Sequence, residues 1–201
     1  MKKATVILNL VLLIMAVAVN GCGKQVVPKP RGFFRIDLPE KRYLSYDAGP
    51  IDGTRLPLFF EYPAYGTIAR EKEYNSEPGW FNIEFPDYNA KIHLTYKTIK
   101  NDLANLIEET YQMNIKNHII KANAIDEQVI IDNTKKMFGV LYDLKGNTAT
   151  SVQFYVTDSI KNYLRGSLYF SAEPNADSLA PLISFFREDI VHLIETLQWK
   201  E

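Results

Sequence analysis

One cysteine, Cys22, is all the thiol this 201-residue chain has, so no internal disulfide framework can be built. The three histidines, His93, His118 and His192, stand far apart and form no His-x-x-x-His or His-Glu-x-x-His pair, which leaves a shared metal site unsupported. Gly-x-Ser-x-Gly is missing, and no glycine-rich loop opens a helical stretch, so neither a serine nucleophile elbow nor a phosphate cradle is encoded. Strong charge of either sign is also lacking. With 23 basic and 24 acidic side chains the net charge is -1, which excludes the basic footprint of a nucleic-acid binder and a polybasic membrane patch. Glu188 and Asp189 are adjacent on a helical stretch and point about 100° apart, so they read as a solvated face and not as a facing acid/base pair. Asp87, Asp143 and Asp158 fall near strand ends or turns, where carboxylates commonly accept from backbone amides. No catalytic residue, cofactor or metal ligand is therefore expected.

What is present begins at the N-terminus. Lys2 and Lys3 precede an apolar run, Val6 to Val19, and small Gly21 stands directly before Cys22. The pattern is that of a bacterial lipoprotein signal peptide over residues 1–21, with cleavage before Cys22 and acylation of its thiol. Read instead as a transmembrane anchor, the run from Ala4 to Val19 contains Asn9 and falls short of the ~20 apolar residues that span a bilayer. Several acyl chains make a stable anchor where a single chain holds only marginally. Removal of Lys2 and Lys3 leaves 21 basic against 24 acidic residues, a net charge of -3. Gly23-Lys24-Gln25 follows Cys22, with no aspartate beside it and no acidic residue before Asp37. Under general lipoprotein sorting that favours the outer membrane and its periplasmic face. Pro28 and Pro30, two lysines and no apolar period mark residues 22–32 as an extended lipidated tether.

The remaining residues, 33–201, suffice for a single domain with a sizeable core. Phe33 to Pro39 reads as a first strand or docked extended segment, followed by an irregular stretch to Pro57 packed by Tyr43 and Tyr46. Strands are expected at Leu58–Pro63, Trp80–Phe85 and Lys91–Tyr96, the last two as a hairpin with one wet face. Between Asn101 and Ile119 the period becomes helical, with Asn101 as N-cap. Strand signals return at Ala124–Ile131, Lys136–Leu144, Thr150–Val156 and Tyr163–Phe170, joined by turns at Lys145-Gly146-Asn147 and Asp158-Ser159. A stripe from Leu179 to Leu197 marks a long final helix, capped by Asp177 or Ser178 and carrying Pro181 in its first turn. The fold class is α+β: a mostly antiparallel sheet covered by two amphipathic helices.

Interaction chemistry is the residue of this reading. Trp80, Phe81, Tyr62, Tyr65 and Tyr96 could form an aromatic patch. Tyr163 and Arg165 alternate with Leu164 and Leu168, so that Trp80, Tyr163 and Arg165 are the candidate interaction surface. The competing expectation is a periplasmic ligand binder or enzyme whose site is assembled around Glu61, Asp87 or His93.

The stretch from Pro28-Lys29-Pro30-Arg31-Gly32 to Asp37-Leu38-Pro39 resembles the opening of the mature gliding motility lipoprotein GldD family of Bacteroidota. The resemblance continues through FEYP at 60–63, KIHLTYK at 91–97, LYDLKGNTATSVQFYVTDS at 141–159, LRGSLYF at 164–170 and PNADSLAPLISFFREDIVHLIETLQW at 174–199. It implies a non-catalytic envelope lipoprotein required for gliding and linked to type IX secretion. Its implied partners are the gliding and secretion machinery proteins of the cell envelope and, through the lipid, the membrane. The order of elements also resembles a PsbP-like α/β sandwich, an analogy of fold that carries no activity.

Overall fold

Alternation of apolar and polar residues with a period of two sorts most of this chain onto the faces of one sheet, and the structure, a computed structural model, shows how. It describes residues 36–51, 53–72, 76–116 and 120–200, all within the unit Ile36–Glu201. The signal peptide, the tether with Cys22, Phe33 to Arg35 and His118 lie outside the described residues.

Seven antiparallel strands form the main sheet: β5 (Thr67–Arg70), β6 (Trp80–Phe85), β7 (Ala90–Thr98), β8 (Ala122–Asp132), β9 (Met137–Gly146), β10 (Thr150–Thr157) and β11 (Asn162–Phe170). Their order is β5-β6-β7-β11-β10-β9-β8, so β8 to β11 run as a meander that docks β11 against β7. A smaller sheet orders β1 (Tyr43–Asp47), β4 (Leu58–Pro63) and β12 (Gln198–Trp199), and β2 (Pro50–Ile51) pairs with β3 (Thr54–Arg55). Helix α1 (Leu103–Tyr111) runs into a π-helical turn, Gln112–Lys116, and helix α2 (Ala176–Thr196) closes the fold. The α+β class stands. Among the described residues no helix is long and apolar enough to cross a membrane.

The helices take opposite faces of the main sheet. Phe81, Ile83, Phe85, Ile92, Leu94, Leu164, Leu168, Val152, Phe154 and Val156 are fully buried on the α2 face. There they meet Phe186, Ile190 and Leu193 of α2, together with Leu58 and Phe60 of the small sheet. Each such side chain contributes roughly 1.5–3 kcal/mol by leaving water. A Cβ on Gly166 would lie 2.2 Å from the Phe154 ring, so the close approach of these two strands requires glycine there. On the other face α1 covers Tyr163, whose hydroxyl shares a 2.6 Å hydrogen bond with Thr110 Oγ1 and donates to Leu106 O at 3.3 Å.

Three expectations are corrected. The stretch read as irregular to Pro57 contains β1, which pairs Tyr43 to Asp47 against Pro63 to Phe59; Tyr46 is buried and stacks on Phe60 at 4.9 Å. The N-cap of α2 is Asn175, whose side chain accepts from Ser178 N at 3.1 Å, so Pro181 falls in the second turn. Asn101 does not cap α1; it adopts φ 61°, and Asp102 holds the N-cap place while accepting from Lys100 N at 2.7 Å.

Asp189 is the largest departure from the expected solvated face. Only Glu188 is exposed; Asp189 is 1% exposed. Its Oδ1 accepts from Lys41 Nζ at 2.7 Å and Tyr43 OH at 3.0 Å, and its Oδ2 from Tyr65 OH at 2.5 Å. Lys41 also donates to Phe185 O at 2.6 Å and sits 3.4 Å from the centroid of the Phe185 ring. Burial, and then the Asp189 carboxylate, push the hydroxyl pKa values of Tyr43 and Tyr65 well above the ordinary tyrosine value. Both phenols stay protonated and donate. Removing one partner of a buried charged pair costs about 3–5 kcal/mol. Asp189→Ala should therefore lower urea stability by roughly 3 kcal/mol or more, and a change under 1 kcal/mol would show that the carboxylate is merely tolerated.

Candidate interaction surface

Register places the candidate side chains on the α1 face. Trp80 lies opposite Thr95, Thr95 opposite Arg165, Arg165 opposite Tyr155 and Tyr155 opposite Val140, a single row across β6, β7, β11, β10 and β9. The next row runs Asn82, His93, Ser167, Gln153 and Tyr142. Trp80 and Arg165 are thus two strand spacings apart, about 10 Å. Tyr163 shares their face but is 2% exposed beneath α1, so it supports that helix and is not open to a partner. Its hydroxyl pKa is pushed up to about 12, chiefly by burial.

The expected aromatic patch is divided by the pleat. Trp80 and Phe81 are neighbours in a strand and point to opposite faces, and Phe81 and Tyr96 are core residues. Tyr62 and Tyr65 pack half-buried against the α2 side of the core.

Three buried donors on the α1 face have no hydrogen-bond partner among the described residues: Trp80 Nε1, Arg165 Nε and Gln153 Nε2. Arg165 Nη1 reaches Met113 Sδ at 3.2 Å, and burial lowers the pKa of its guanidinium. Leaving a buried donor unpaired costs about 1–3 kcal/mol.

At the β6–β7 end of the adjacent row the polar groups are paired. Thr95 Oγ1 donates to His93 Nε2 at 3.3 Å, His93 Nδ1 to Asn82 Oδ1 at 2.9 Å, and Asn82 Nδ2 to Glu71 Oε2 at 3.0 Å. Lys91 Nζ joins Glu71 Oε2 at 3.1 Å, and Lys72 N donates to Oε1 at 2.9 Å. With Asn82 Nδ2 donating to Glu71, Asn82 Oδ1 is left to accept, which places a proton on His93 Nδ1. The Trp80 ring meets His93 edge to face at 5.7 Å. The wet face expected of this hairpin is in large part a buried polar network, with Asn82 2% and Glu71 8% exposed.

Glu61, Asp87 and His93 are not brought together. Glu61 accepts from His192 Nε2 at 2.7 Å on the α2 side, where Tyr43 stacks on His192 with centroids 3.6 Å apart. His93 lies on the α1 side, and Asp87 sits in the exposed turn after β6. Sequence reasoning missed Glu71, which no periodicity marks. It also missed Asp189, although that residue follows Phe186 by three and precedes Leu193 by four, inside the apolar stripe.

The family model described as gliding motility lipoprotein GldD matches residues 23–199. The chain belongs to that family. It is accordingly a lipid-anchored envelope lipoprotein with a role in gliding motility, and the family is not known as one of enzymes. A search of curated proteins gave no match to this sequence. Among solved structures, the solution structure of cyanobacterial PsbP (CyanoP) from Synechocystis sp. PCC 6803 is similar at 10% identity and a TM-score of 0.43, over 90% of this chain and 99% of that one.

Burial acts to raise the Glu71 pKa, but the Asn82 and Lys91 hydrogen bonds, the Lys91 charge and the Lys72 amide outweigh it and hold the carboxyl at about 2, below the ordinary 4.5. Stability from this depressed carboxylate is complete above the unfolded value and is lost as pH falls towards 2. Urea midpoints of the wild type and Glu71→Gln should differ at neutral pH and converge between pH 4.5 and 2. A gap that does not change with pH would place the effect in packing.

Proposed function

We propose that this protein is a non-catalytic accessory subunit of the envelope machinery for gliding and associated type IX secretion. The lipid on Cys22 holds it in the outer membrane on the periplasmic side. In this reading residues 1–21 are removed, 22–32 form the tether and 33–201 form the working domain. From Cys22 to Ile36 the chain spans at most about 50 Å, so the domain operates near the bilayer. Its partners are proteins of the gliding and secretion machinery, met through the α1 face beside Trp80 and Arg165.

The observation that carries the reading is the contrast between carboxylates and donors. Glu71 and Asp189 are each held by three donors, and Asp158 accepts from the amides of Ile160, Lys161 and Asn162 and from Asn162 Nδ2. Glu71, so occupied and held at about 2, is a poor proton acceptor at neutral pH. On the α1 face Trp80 and Arg165 are part-exposed and open to another protein, while the unpaired Trp80 Nε1, Arg165 Nε and Gln153 Nε2 themselves are closed to solvent.

Cys22→Ala in the native bacterium should move the protein out of the membrane fraction and abolish colony spreading; unchanged fractionation with membranes would refute lipid anchoring. Trp80→Ala and Arg165→Ala, on a domain that keeps its thermal midpoint within a few degrees, should each reduce spreading and the release of type IX cargo. Normal spreading and cargo release in the double variant would remove this face from the interaction.

A further inference from the structure

Strand β8 ends the main sheet: it pairs with β9 from Ala122 to Asp132, and no described strand lies on its other side. An open edge presents a row of main-chain donors and acceptors that templates another strand unless charge, proline or a bulge blunts it. The only irregularity in the β8–β9 register falls between Ala122 and Ala124. Beyond it, Gln128-Val129-Ile130-Ile131 carries no charge, proline or glycine. Val129 and Ile131 point to the α1 face and are 67% and 66% exposed. Such exposure is unusual for two β-branched residues one step apart on the same face.

The opposite face of this edge has a groove of about 300 Å³ running between β8 and α2. Its floor is Ile130, Met137, Leu141, Val191 and Ile194. An added strand would therefore lay alternate side chains on Val129 and Ile131 and into the groove, the arrangement by which strand addition combines main-chain affinity with side-chain selectivity.

We propose that β8 is the docking edge for an extended segment of a partner protein, with alternating apolar side chains flanked by lysine or arginine. The charge of the edge selects this occupant. Asp126, Glu127 and Asp132 lie on β8, which has no basic residue, and Glu195 joins Asp132 at the groove. Lys145, 3.8 Å from Asp126, and Lys135, 3.9 Å from Asp132, offset two of these four acids, and Lys121 and Lys136 stand outside the strand, so the charge carried by 126–132 itself is acidic. A second copy pairing antiparallel about Val129 would set Asp126 opposite the other copy's Asp132 at both ends, and like charges across strands are destabilising.

This inference deepens the interaction role proposed above and rests on it, but it is tested by binding alone, so its failure is distinct from a failure of the spreading assays. The probe is a labelled peptide of alternating valine and threonine with two lysines at each end, titrated into the full-length lipoprotein in detergent. Binding by anisotropy should come with slowed amide exchange over residues 126–132. It should weaken at least tenfold when the peptide is N-methylated at alternate amides, when its lysines become glutamates, or in the V129K/I131K variant, whose exposed positions tolerate lysine. Absence of binding, or equal binding by the N-methylated peptide, overturns the proposal. Protection of the β8 amides without peptide also overturns it: if concentration-dependent, the occupant is a second copy, and if not, a segment of the same chain.

Discussion

A carboxylate inside an apolar core persists only where donors replace the water it has lost. Asp189 meets that condition with Lys41, Tyr43 and Tyr65, three groups from two separate stretches of the chain. The N-terminal approach to the fold, strand β1 and the turn after β4 are thereby bound to one position on the last helix. Apolar packing alone holds α2 against the sheet without distinguishing small slides along its axis. The Asp189 cluster supplies the distinction, because a shift of one residue would carry the carboxylate away from its donors. Arg187 acts in the same sense from the other side, bonding both oxygens of Asp143 on β9 at 2.7 and 2.8 Å. Specificity of this type is the best-supported use of buried ionic groups.

The two faces of the main sheet solve different problems. Under α2 the residues are apolar and interdigitate, down to the glycine at 166 that admits the Phe154 ring. Under and beside α1 the rows are polar and buried at once, with Gln153 and Ser167 1% and 2% exposed. Such a face is stable where its groups are paired, as Glu71, Asn82 and His93 are, and costly where they are not. The unpaired Trp80, Arg165 and Gln153 donors concentrate that cost beside the hydrogen-bonded network that keeps the surrounding strands rigid. Rigidity around an unsatisfied patch lowers the ordering entropy a partner must overcome on binding.

Elements that are locally determined were legible in the sequence. Strands β4 and β6 have the expected boundaries because Pro63 closes the first and Pro86 follows the second. The meander of β9, β10 and β11 was legible because turn residues punctuate it, and α2 because its stripe runs for five turns. Strand β1 was not, since its identity comes from pairing with β4 across a polar loop and its own alternation is weak. The helical period after Asn101 runs on to Ile119, but the α-helix ends at Tyr111 and continues as a π-helical turn, a change that periodicity does not encode. Of the three candidate interaction residues, Trp80 and Arg165 share a row and Tyr163 is covered by α1. Strand alternation can tell which face a residue takes, but not which helix will lie on it.

What these features leave available is narrow. The core carboxylates are occupied, the centre of the α2 face is filled with the groove left beside β8, and Tyr163 is spent on holding α1. What stands open is the part-exposed Trp80 and Arg165 on one face and, among the described strands, the edge of β8. An open edge is an incomplete hydrogen-bonding arrangement that a further strand can complete. A lipid anchor strengthens weak contacts of this kind, because confinement near one membrane raises the effective concentration of every partner held there, and avidity then exceeds either contact alone. Modest individual surfaces are therefore sufficient for a tethered domain. The small size of each exposed feature follows from the same argument, since a larger apolar patch would bind indiscriminately before the protein reached its membrane.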